Sequence, residues 1–393
     1  MNEFQAQLYT NLMSLVDSNE AFYYGDREMD DRVYRLFNYR LASYTDFLNP
    51  GAIECRGIMF DVTDPEDVKL VSMPMEKFFN LNENPATMDL DLTTVVDVEL
   101  KADGSLISTY MHWATGNGEG YKDDELRLKT KGSLESDQAI DAMKYINKPE
   151  HAAFKHALTY LSIMDMTVNM EWCAPHNRIV IGYLDPVLTV LNVRNNRDGE
   201  YVDIFGDITG EWNNEPVDLQ PIRDAYIEKL NVDDPVHFTQ SIPDMEDVEG
   251  YVIKLASGQR VKVKTLWYLV QHRAKDSINV PRRLFEAVLA EATDDLRTLF
   301  HDDELVIRRI EEMELFVEGK YNHLVDQVER FYERNKHMER KEFAILGQKE
   351  LIKMHFGLAM SKYTGKDVNY KEFMAKKWKE FGLKDEPEQE IEE

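Results

Sequence analysis

The first two thirds of the chain carry short apolar segments in which apolar and polar residues alternate between turn signals. Such alternation is typical of strands that bury one face. The clearest strand candidates are VVDVELKADGSLISTYMHW (95–113), TVNMEWCAP (167–175), VLTVLNVR (187–194) and VEGYVIKLASGQRVKVKT (248–265). The last segment predicts a hairpin of Tyr251–Leu255 and Arg260–Lys264 around a turn at Ser257-Gly258. The first 270 residues are therefore interpreted as mixed strand and loop, and the fold class as α+β with antiparallel sheets.

From about Pro281 the pattern changes to apolar residues at helical spacing, with almost no glycine or proline. Helical patterns cover residues 282–300, 304–336 and 341–363. We place a domain boundary near 275–281 and expect an all-helical domain after it. The last ten residues, KDEPEQEIEE, are acidic, and we expect them to be disordered.

Composition narrows the class of protein. The chain has 393 residues, of which 43 % are hydrophobic and 11 % aromatic, too apolar for a disordered chain and long enough for two domains. Its two cysteines, Cys55 and Cys173, argue against a disulfide scaffold and fit a reducing compartment. No apolar run approaches the ~20 residues that span a bilayer, and the first residues show no signal peptide pattern. We therefore expect a cytoplasmic protein without a membrane partner.

The formal net charge is −27, which taken alone argues against a nucleic-acid-binding protein. The charge is unevenly distributed, however. Residues 201–249 hold two basic and 13 acidic side chains, whereas Lys254–Arg283 hold eight basic and one acidic. A second basic segment, Lys336–Lys379, holds eleven and five. These two segments could face phosphate groups, or they could be ordinary solvated surfaces.

Two lysine-containing motifs could carry chemistry. Lys101–Ser105, with the sequence KADGS, follows a predicted strand directly, so its lysine could present an amine to a ligand or could be a solvated turn residue. Lys262 and Lys264 point to the same face of a predicted strand because side chains alternate with period two. Two ammonium groups on one face favour an anion such as a triphosphate between them. The alternative is an exposed edge strand, where lysines discourage pairing.

Two further motifs place charges beside apolar strands. Glu171, in the segment NMEWCAP, is either an outward-facing residue or a buried functional carboxylate. Arg56, in the segment ECRGIMF, is either a ligand-binding residue or the partner of Glu54 in a structural ion pair.

The order of these motifs resembles that of the covalent nucleotidyltransferases, which include polynucleotide ligases and capping enzymes. The order is Lys-x-Asp-Gly, a strand glutamate, Glu-Gly-Tyr and Lys-x-Lys. Further segments resemble the phage T4-type RNA ligase 1 family over nearly the whole chain: ECRGIMF, SMPMEKFFNLNENP, KADGSLISTY, KTKGS, LNVR, EGYV, LWY and ATDDL. The combination of FFNLNENP with KxDGS is the most specific part of this resemblance.

The resemblance implies an ATP-dependent RNA ligase that acts in three nucleotidyl transfers. Lys101 would attack the α-phosphate of ATP, and the AMP would then pass to an RNA 5′-phosphate. A 3′-OH would attack that activated end, and AMP would leave. Residues 1–278 would form the adenylyltransferase domain, and residues 279–393 an all-helical C-terminal domain with an acidic tail.

Site residues follow from the same resemblance, position by position. The catalytic set is Lys101, Glu249, Lys262 and Lys264. The nucleotide-binding set is Arg56, Lys77, Phe79, Gly104, Lys131, Glu171 and Tyr268. The metal-binding set is Glu249, Asp294 and Asp295.

Within these sets, Glu171 is assigned to the ribose hydroxyls and Glu249 to the metal, although the two carboxylates could exchange roles. Asp103 is expected to brace the nucleophile loop. Asp294 and Asp295 could instead open a helix, where carboxylates complement the helix dipole.

The implied cofactors are ATP, with AMP covalently bound to Lys101, and Mg²⁺ or Mn²⁺. The implied partner is RNA with 3′-OH and 5′-phosphate ends, including a nicked tRNA anticodon loop. We expect a monomer in the cytoplasm of a phage-infected host. Two alternatives stay open: a DNA ligase or capping-type nucleotidyltransferase, and an RNA-end binding protein without catalysis. Because the chain is acidic overall, we expect only modest affinity for RNA that lacks ends.

Overall fold

A computed structural model shows two compact units, Met1–His272 and Arg273–Glu393. The predicted domain boundary between residues 278 and 279 and the predicted disordered tail both lie outside the described residues. No helix in the described part of the chain is long and apolar enough to cross a membrane. The structure describes residues 1–112, 125–177, 179–206, 210–212, 215–271, 280–301 and 303–383.

The first sheet is antiparallel, with its strands in chain order. Its strands are β1 (Phe22–Met29), β2 (Arg32–Tyr39), β3 (Ile58–Asp61) and β4 (Lys69–Ser72). Helix α1 (Glu3–Ser18) covers this sheet through the buried side chains Leu8, Leu12 and Leu15. The interpretation of the first 270 residues as strand and loop missed this helix, because its apolar positions are separated by many polar residues.

The second sheet has the strand order β10-β9-β7-β8. Its strands are β7 (Ser105–His112), β8 (Glu125–Lys129), β9 (Met166–Cys173) and β10 (Val187–Asn195). Helices α2 (Asp137–Ile146) and α3 (Ala152–Ile163) pack on it around a core that includes Leu158, Leu161 and Met170. These two helices were likewise not predicted. A small ribbon of β11 (Gly210–Trp212) and β12 (Glu215–Val217) and helix α4 (Gln220–Asp224) follow.

The third sheet has the order β5-β14-β13-β6 and contains the predicted hairpin. Its strands are β5 (Phe79–Asn80), β6 (Val95–Leu100), β13 (Gly250–Leu255) and β14 (Arg260–Lys264). Strands β13 and β14 pair with Gly250 opposite Lys264, which confirms the hairpin, while β5 joins β14 in parallel. Helices α5 (Pro235–Ser241) and α6 (Leu266–Gln271) complete the unit.

The second unit is helical in its described part, which confirms the predicted change from strands to helices. Its helices are α7 (Pro281–Leu289), α8 (Thr293–Leu299), α9 (Glu304–Asn335), α10 (Arg340–Glu350), α11 (Lys353–Tyr363) and α12 (Tyr370–Lys376). Two of the three helical patterns are interrupted. One break contains Glu291 at a φ of 56°, and the other contains Leu351 in an extended conformation. Both conformations end the preceding helix.

Candidate active site

Lys101 lies directly after β6, where the third sheet brings three charged side chains together. Its Nζ is 2.8 Å from Glu249 Oε2, and Glu249 Oε1 is 3.2 Å from Lys264 Nζ. Strand β13 pairs with both β6 and β14, so residues distant in the chain meet at one end of these strands. The Glu249 side chain is only 3 % exposed. A buried carboxylate between two ammonium groups is a costly arrangement that needs every partner in place.

Gly250 explains why a glycine follows this glutamate. Its φ is 147°, a conformation that side chains rarely adopt, and an added Cβ would lie 2.0 Å from Val263 O. Its carbonyl accepts a 2.9 Å hydrogen bond from Lys101 N–H. The glycine thus lets β14 approach closely and anchors the backbone of Lys101.

Glu171 comes from the neighbouring sheet and extends the charged group. Burial raises its pKa to about 7, and the charge of Glu249 adds to that effect, whereas Lys101 and Arg56 oppose it. Gly104 N–H donates a hydrogen bond to it. Glu171 therefore lies among the charges of this group, and its role as a functional carboxylate stays a prediction.

The loop after Lys101 is held through Asp103, whose side chain is buried. One carboxylate oxygen accepts from Tyr268 Oη at 2.8 Å, and the other accepts from the N–H groups of Val180 and Ile181. Gly104 follows, and an added Cβ there would lie 2.3 Å from Trp172 O. These hydrogen bonds agree with the expectation that Asp103 holds the nucleophile loop in place. The Tyr268 hydroxyl donates one of them, so Tyr268 contributes to the same support.

A second cationic group is built on aromatic rings. Lys131 Nζ lies 4.0 Å from the centroid of the Tyr39 ring, and Lys77 Nζ lies 5.7 Å from the same centroid and 5.2 Å from that of Phe79. Ammonium groups over ring faces are attracted by the ring quadrupole. Tyr39 was not predicted, because a tyrosine at the end of a strand carries no motif. The Tyr39 ring contacts both Lys131 and Lys77, two residues predicted for the nucleotide site.

Glu54 does not form the ion pair with Arg56 that was weighed from the sequence. It pairs instead with Arg194, with 2.7 Å between Arg194 Nη1 and Glu54 Oε2. The Arg56 guanidinium donates weakly to Met75 O at 3.5 Å. The structural-pair interpretation of Arg56 is therefore wrong, because the residue that neutralises Glu54 comes from β10.

Two family models together match most of the chain. Residues 54–268 match the family model described as RNA ligase, and residues 275–385 match that described as T4 RNA ligase 1, C-terminal domain. The chain belongs to the T4 RNA ligase 1 family. It is an ATP-dependent RNA ligase, and its family works through a lysyl-AMP intermediate on RNA that carries ends. Use of a divalent metal ion is consistent with this reaction.

Two sequence relatives and one solved structure are similar to this chain. The RNA ligase 1 of Bacteriophage TS2126 is 26 % identical over 297 residues, covering 74 % of this chain and 69 % of the relative. A protein of Thermovibrio ammonificans is 25 % identical over 325 residues, covering 81 % of this chain and 79 % of the relative. Among solved structures, an archaeal ATP-dependent RNA ligase matches 80 % of this chain and 79 % of its own, with 11 % identity and a TM-score of 0.44.

The sequence motifs of this RNA ligase assigned no role to Lys129, the first lysine of KTKGS. Its side chain is fully buried, and its Nζ donates to Gly57 O at 2.5 Å. Burial lowers its pKa to about 7. Gly57 has a φ of 88°, and an added Cβ would lie 2.5 Å from Lys131 O, so the loops of Arg56 and Lys131 pack tightly together. A lysine at the end of an apolar strand was the only signal that could have found this residue.

Asp294 and Asp295 lie in the first turn of α8, in the second unit. Ala292 precedes this helix without a side-chain cap, and Asp295 N–H donates to Asp294 Oδ1 at 3.0 Å. Both carboxylates thus sit where the helix dipole favours negative charge. Within the described residues there is no group of three or more His, Cys, Asp and Glu side chains that could hold a metal ion.

Proposed function

We propose that Lys101 is the residue that becomes adenylylated in this RNA ligase. The observation that carries the proposal is the ion-pair group in which Glu249 lies between Lys101 and Lys264. Lys101 attacks as the neutral amine, and Glu249 Oε2, 2.8 Å away, is the acceptor within reach of its proton. The Nζ–P bond forms as the bond from the α-phosphorus to pyrophosphate breaks, and pyrophosphate leaves.

The next two transfers use the same cations. AMP passes from Lys101 to the 5′-phosphate of RNA, and a 3′-OH then attacks that phosphate and releases AMP. In each transfer, negative charge builds on the oxygens around phosphorus. Lys262 and Lys264 lie on the same face of β14, and both would stabilise this charge.

The remaining residues form the proposed nucleotide site. Arg56, Lys77 and Lys131 supply positive charge for phosphates, and Phe79 places an aromatic ring beside Lys77. Glu171 would bind the ribose hydroxyls, since a carboxylate accepts hydrogen bonds from them. Gly104 and Tyr268 shape this pocket through close packing and through Asp103.

The divalent metal, Mg²⁺ or Mn²⁺, is proposed to bind Glu249. Two neighbouring carboxylates, Glu171 and Glu249, could supply two oxygen ligands, and the phosphates of ATP would complete the coordination. When bound, the ion would neutralise the triphosphate and the developing charge on it. Asp294 and Asp295 are retained as candidate metal residues that a titration of their alanine variants would test.

The decisive experiment incubates the protein with ATP labelled in the α-phosphate and a divalent metal. Wild type should retain the label covalently, and Lys101→Ala should lose it by at least ~1,000-fold because no other amine occupies that position. Lys69→Ala removes an exposed lysine of β4 and is the matched control. Labelling of Lys101→Ala at the wild-type rate would refute the assignment of the nucleophile.

The same assay separates the alternatives. Labelling by GTP in place of ATP, or sealing of DNA in place of RNA, would indicate a capping-type or DNA-joining enzyme. Salt-dependent RNA binding without any labelling would indicate an RNA-end binding protein without catalysis.

We further propose that the physiological RNA is a tRNA nicked in its anticodon loop and that one chain suffices for the reaction. The family of the second unit supports the first point, and the presence of the Lys101 group within a single chain supports the second. Sealing of a nicked anticodon stem-loop should exceed that of an unstructured oligonucleotide with the same ends. Equal rates on both would contradict the tRNA preference, and light scattering would test the monomer.

A further inference from the structure

We propose that Tyr183 is a positioning residue for the nucleophile loop. The proposal rests on the proposed role of Lys101 as nucleophile. Tyr183 belongs to residues 179–186, the part of the connection that leads into β10, which is called the strap below. No sequence motif pointed to the strap, and the reaction scheme above does not use it.

The strap contacts the nucleophile loop through three hydrogen bonds to one residue. The Tyr183 hydroxyl accepts from Asp103 N–H at 3.1 Å, and Val180 N–H and Ile181 N–H donate to Asp103 Oδ2 at 2.8 Å and 2.7 Å. The Tyr183 hydroxyl also hydrogen-bonds the buried thiol of Cys173. One hydroxyl thus joins the strap, the end of β9 and the backbone of the nucleophile loop.

Apolar packing does not account for the strap's conformation. None of its residues is buried, and the side chains of Leu184 and Ile179 are 95 % and 48 % exposed. Ordering an exposed segment costs about 1–2 kcal/mol of backbone entropy per residue. The bonds to Asp103 are therefore central to its order, and they act in return on the loop.

Lys101 is held on both sides of its side chain. Before it, β6 is paired in the sheet, and its own N–H bonds to Gly250 O. Two residues after it, Asp103 is fixed by the strap and by Tyr268. Because a displacement of ~1 Å of a reacting group can cost about 100-fold in rate, the second anchor matters for the attack on phosphorus.

Tyr183→Phe removes only the hydroxyl. It leaves Asp103 N–H without this acceptor in a buried position, which weakens the second anchor while keeping the ring. The amine of Lys101 reacts in the first transfer and takes no part as nucleophile in the third. A positioning role therefore predicts slower lysyl-AMP formation with little change in the sealing of RNA that is already adenylylated.

The test measures both steps for the full chain. Single-turnover lysyl-AMP formation by Tyr183→Phe should be about tenfold slower than by wild type at saturating ATP, with the KM for ATP nearly unchanged. Sealing of pre-adenylylated RNA should stay within about twofold. Tyr24→Phe, which removes the hydroxyl of an exposed tyrosine in β1, is the matched control and should leave both steps unchanged.

Three results would overturn the proposal. The first is lysyl-AMP formation by Tyr183→Phe at the wild-type rate. The second is an equal loss in both steps together with a lower melting temperature, which would show that the hydroxyl only supports the fold. The third applies if Tyr183→Phe does not fold, and it comes from Tyr268→Phe, which removes the hydrogen bond to the other oxygen of Asp103. Lysyl-AMP formation by that variant at the wild-type rate would show that the hydrogen bonds to Asp103 do not position the nucleophile. Failure of wild type itself to take up label would refute the proposed function rather than the strap alone.

Discussion

An ion pair of the first unit and one of the helical unit differ strongly in how deeply they are buried. In the first unit, Arg194 and Glu54 pair with side chains only 4 % and 13 % exposed. In the helical unit, Lys376 and Glu372 pair one helical turn apart, with side chains 71 % and 56 % exposed. A buried pair must repay a large desolvation cost, whereas an exposed pair gains little and loses little. Burial therefore distinguishes charges that fix a geometry from charges that keep a surface solvated.

The same contrast separates the two basic segments. The segment beginning at Lys254 sends Lys264 to a buried carboxylate, where its side chain is 11 % exposed. In the segment beginning at Lys336, that lysine pairs with Glu333 at 2.6 Å, and both side chains are at least half exposed. Similar local charge thus has two outcomes: Lys264 is held in a buried group of charges, and Lys336 lies in an exposed ion pair.

The largest effect is expected from a substitution that breaks the buried ion pair of Glu54 and Arg194. Glu54→Ala should lower the free energy of unfolding by about 3–5 kcal/mol, because it leaves the Arg194 guanidinium buried without its carboxylate. Urea unfolding would measure the loss, with Glu20→Ala, at an exposed position, as control. A loss below ~1 kcal/mol would mean that water reaches Arg194 freely and that the contrast between the units is overstated.

A smaller, pH-dependent effect is expected at Lys129. Its pKa is about 7 in the folded protein, below the ordinary value of 10.5, so its contribution to stability is lost as pH falls towards 7. Relative to Lys129→Met, wild type should gain about 2 kcal/mol in free energy of unfolding between pH 7 and pH 8.5. Urea unfolding of both proteins across that range measures the difference. Parallel curves for the two would show that the buried lysine does not titrate there.

A change in rate of about threefold is expected at Glu171. Its pKa is raised to about 7, so its stabilising effect is complete below the ordinary carboxyl pKa and is lost as pH rises through 7, while the charged form accumulates. If the charged form binds the ribose, lysyl-AMP formation by wild type should rise about threefold from pH 6.5 to pH 7.5. Glu171→Gln should show a flat profile over the same range, and a profile as steep as that of wild type would exclude Glu171 as its source.

The smallest effect is expected at the helical surface. Glu372→Ala should change the free energy of unfolding by no more than ~0.5 kcal/mol, since its pair with Lys376 is exposed and screened by salt. Thermal unfolding at low and high ionic strength would measure it. A loss above 1 kcal/mol would place this pair with the buried ones and remove the contrast.

Much of the fold was accessible from local patterns. The strands around Lys101 and Glu171, the hairpin ending at Lys264 and the helical second unit each follow from periodicity over a few residues. Helix α1 was missed because polar residues separate its apolar positions. These positions form a buried face only where the helix packs on the first sheet. The partner of Glu54 was missed for a related reason, since Arg194 is 140 residues away.

The sequence by itself determined which chemical groups this ligase has and in what order, because motif residues must appear in the chain wherever the fold later places them. It also determined the alternation that puts Lys262 and Lys264 on one face, a property of any strand. Only the tertiary structure decided which groups meet: Glu249 between Lys101 and Lys264, Lys129 beneath the loop of Arg56, and Tyr183 against Asp103. These contacts depend on sheet pairing and burial, which join distant segments and which no local pattern specifies.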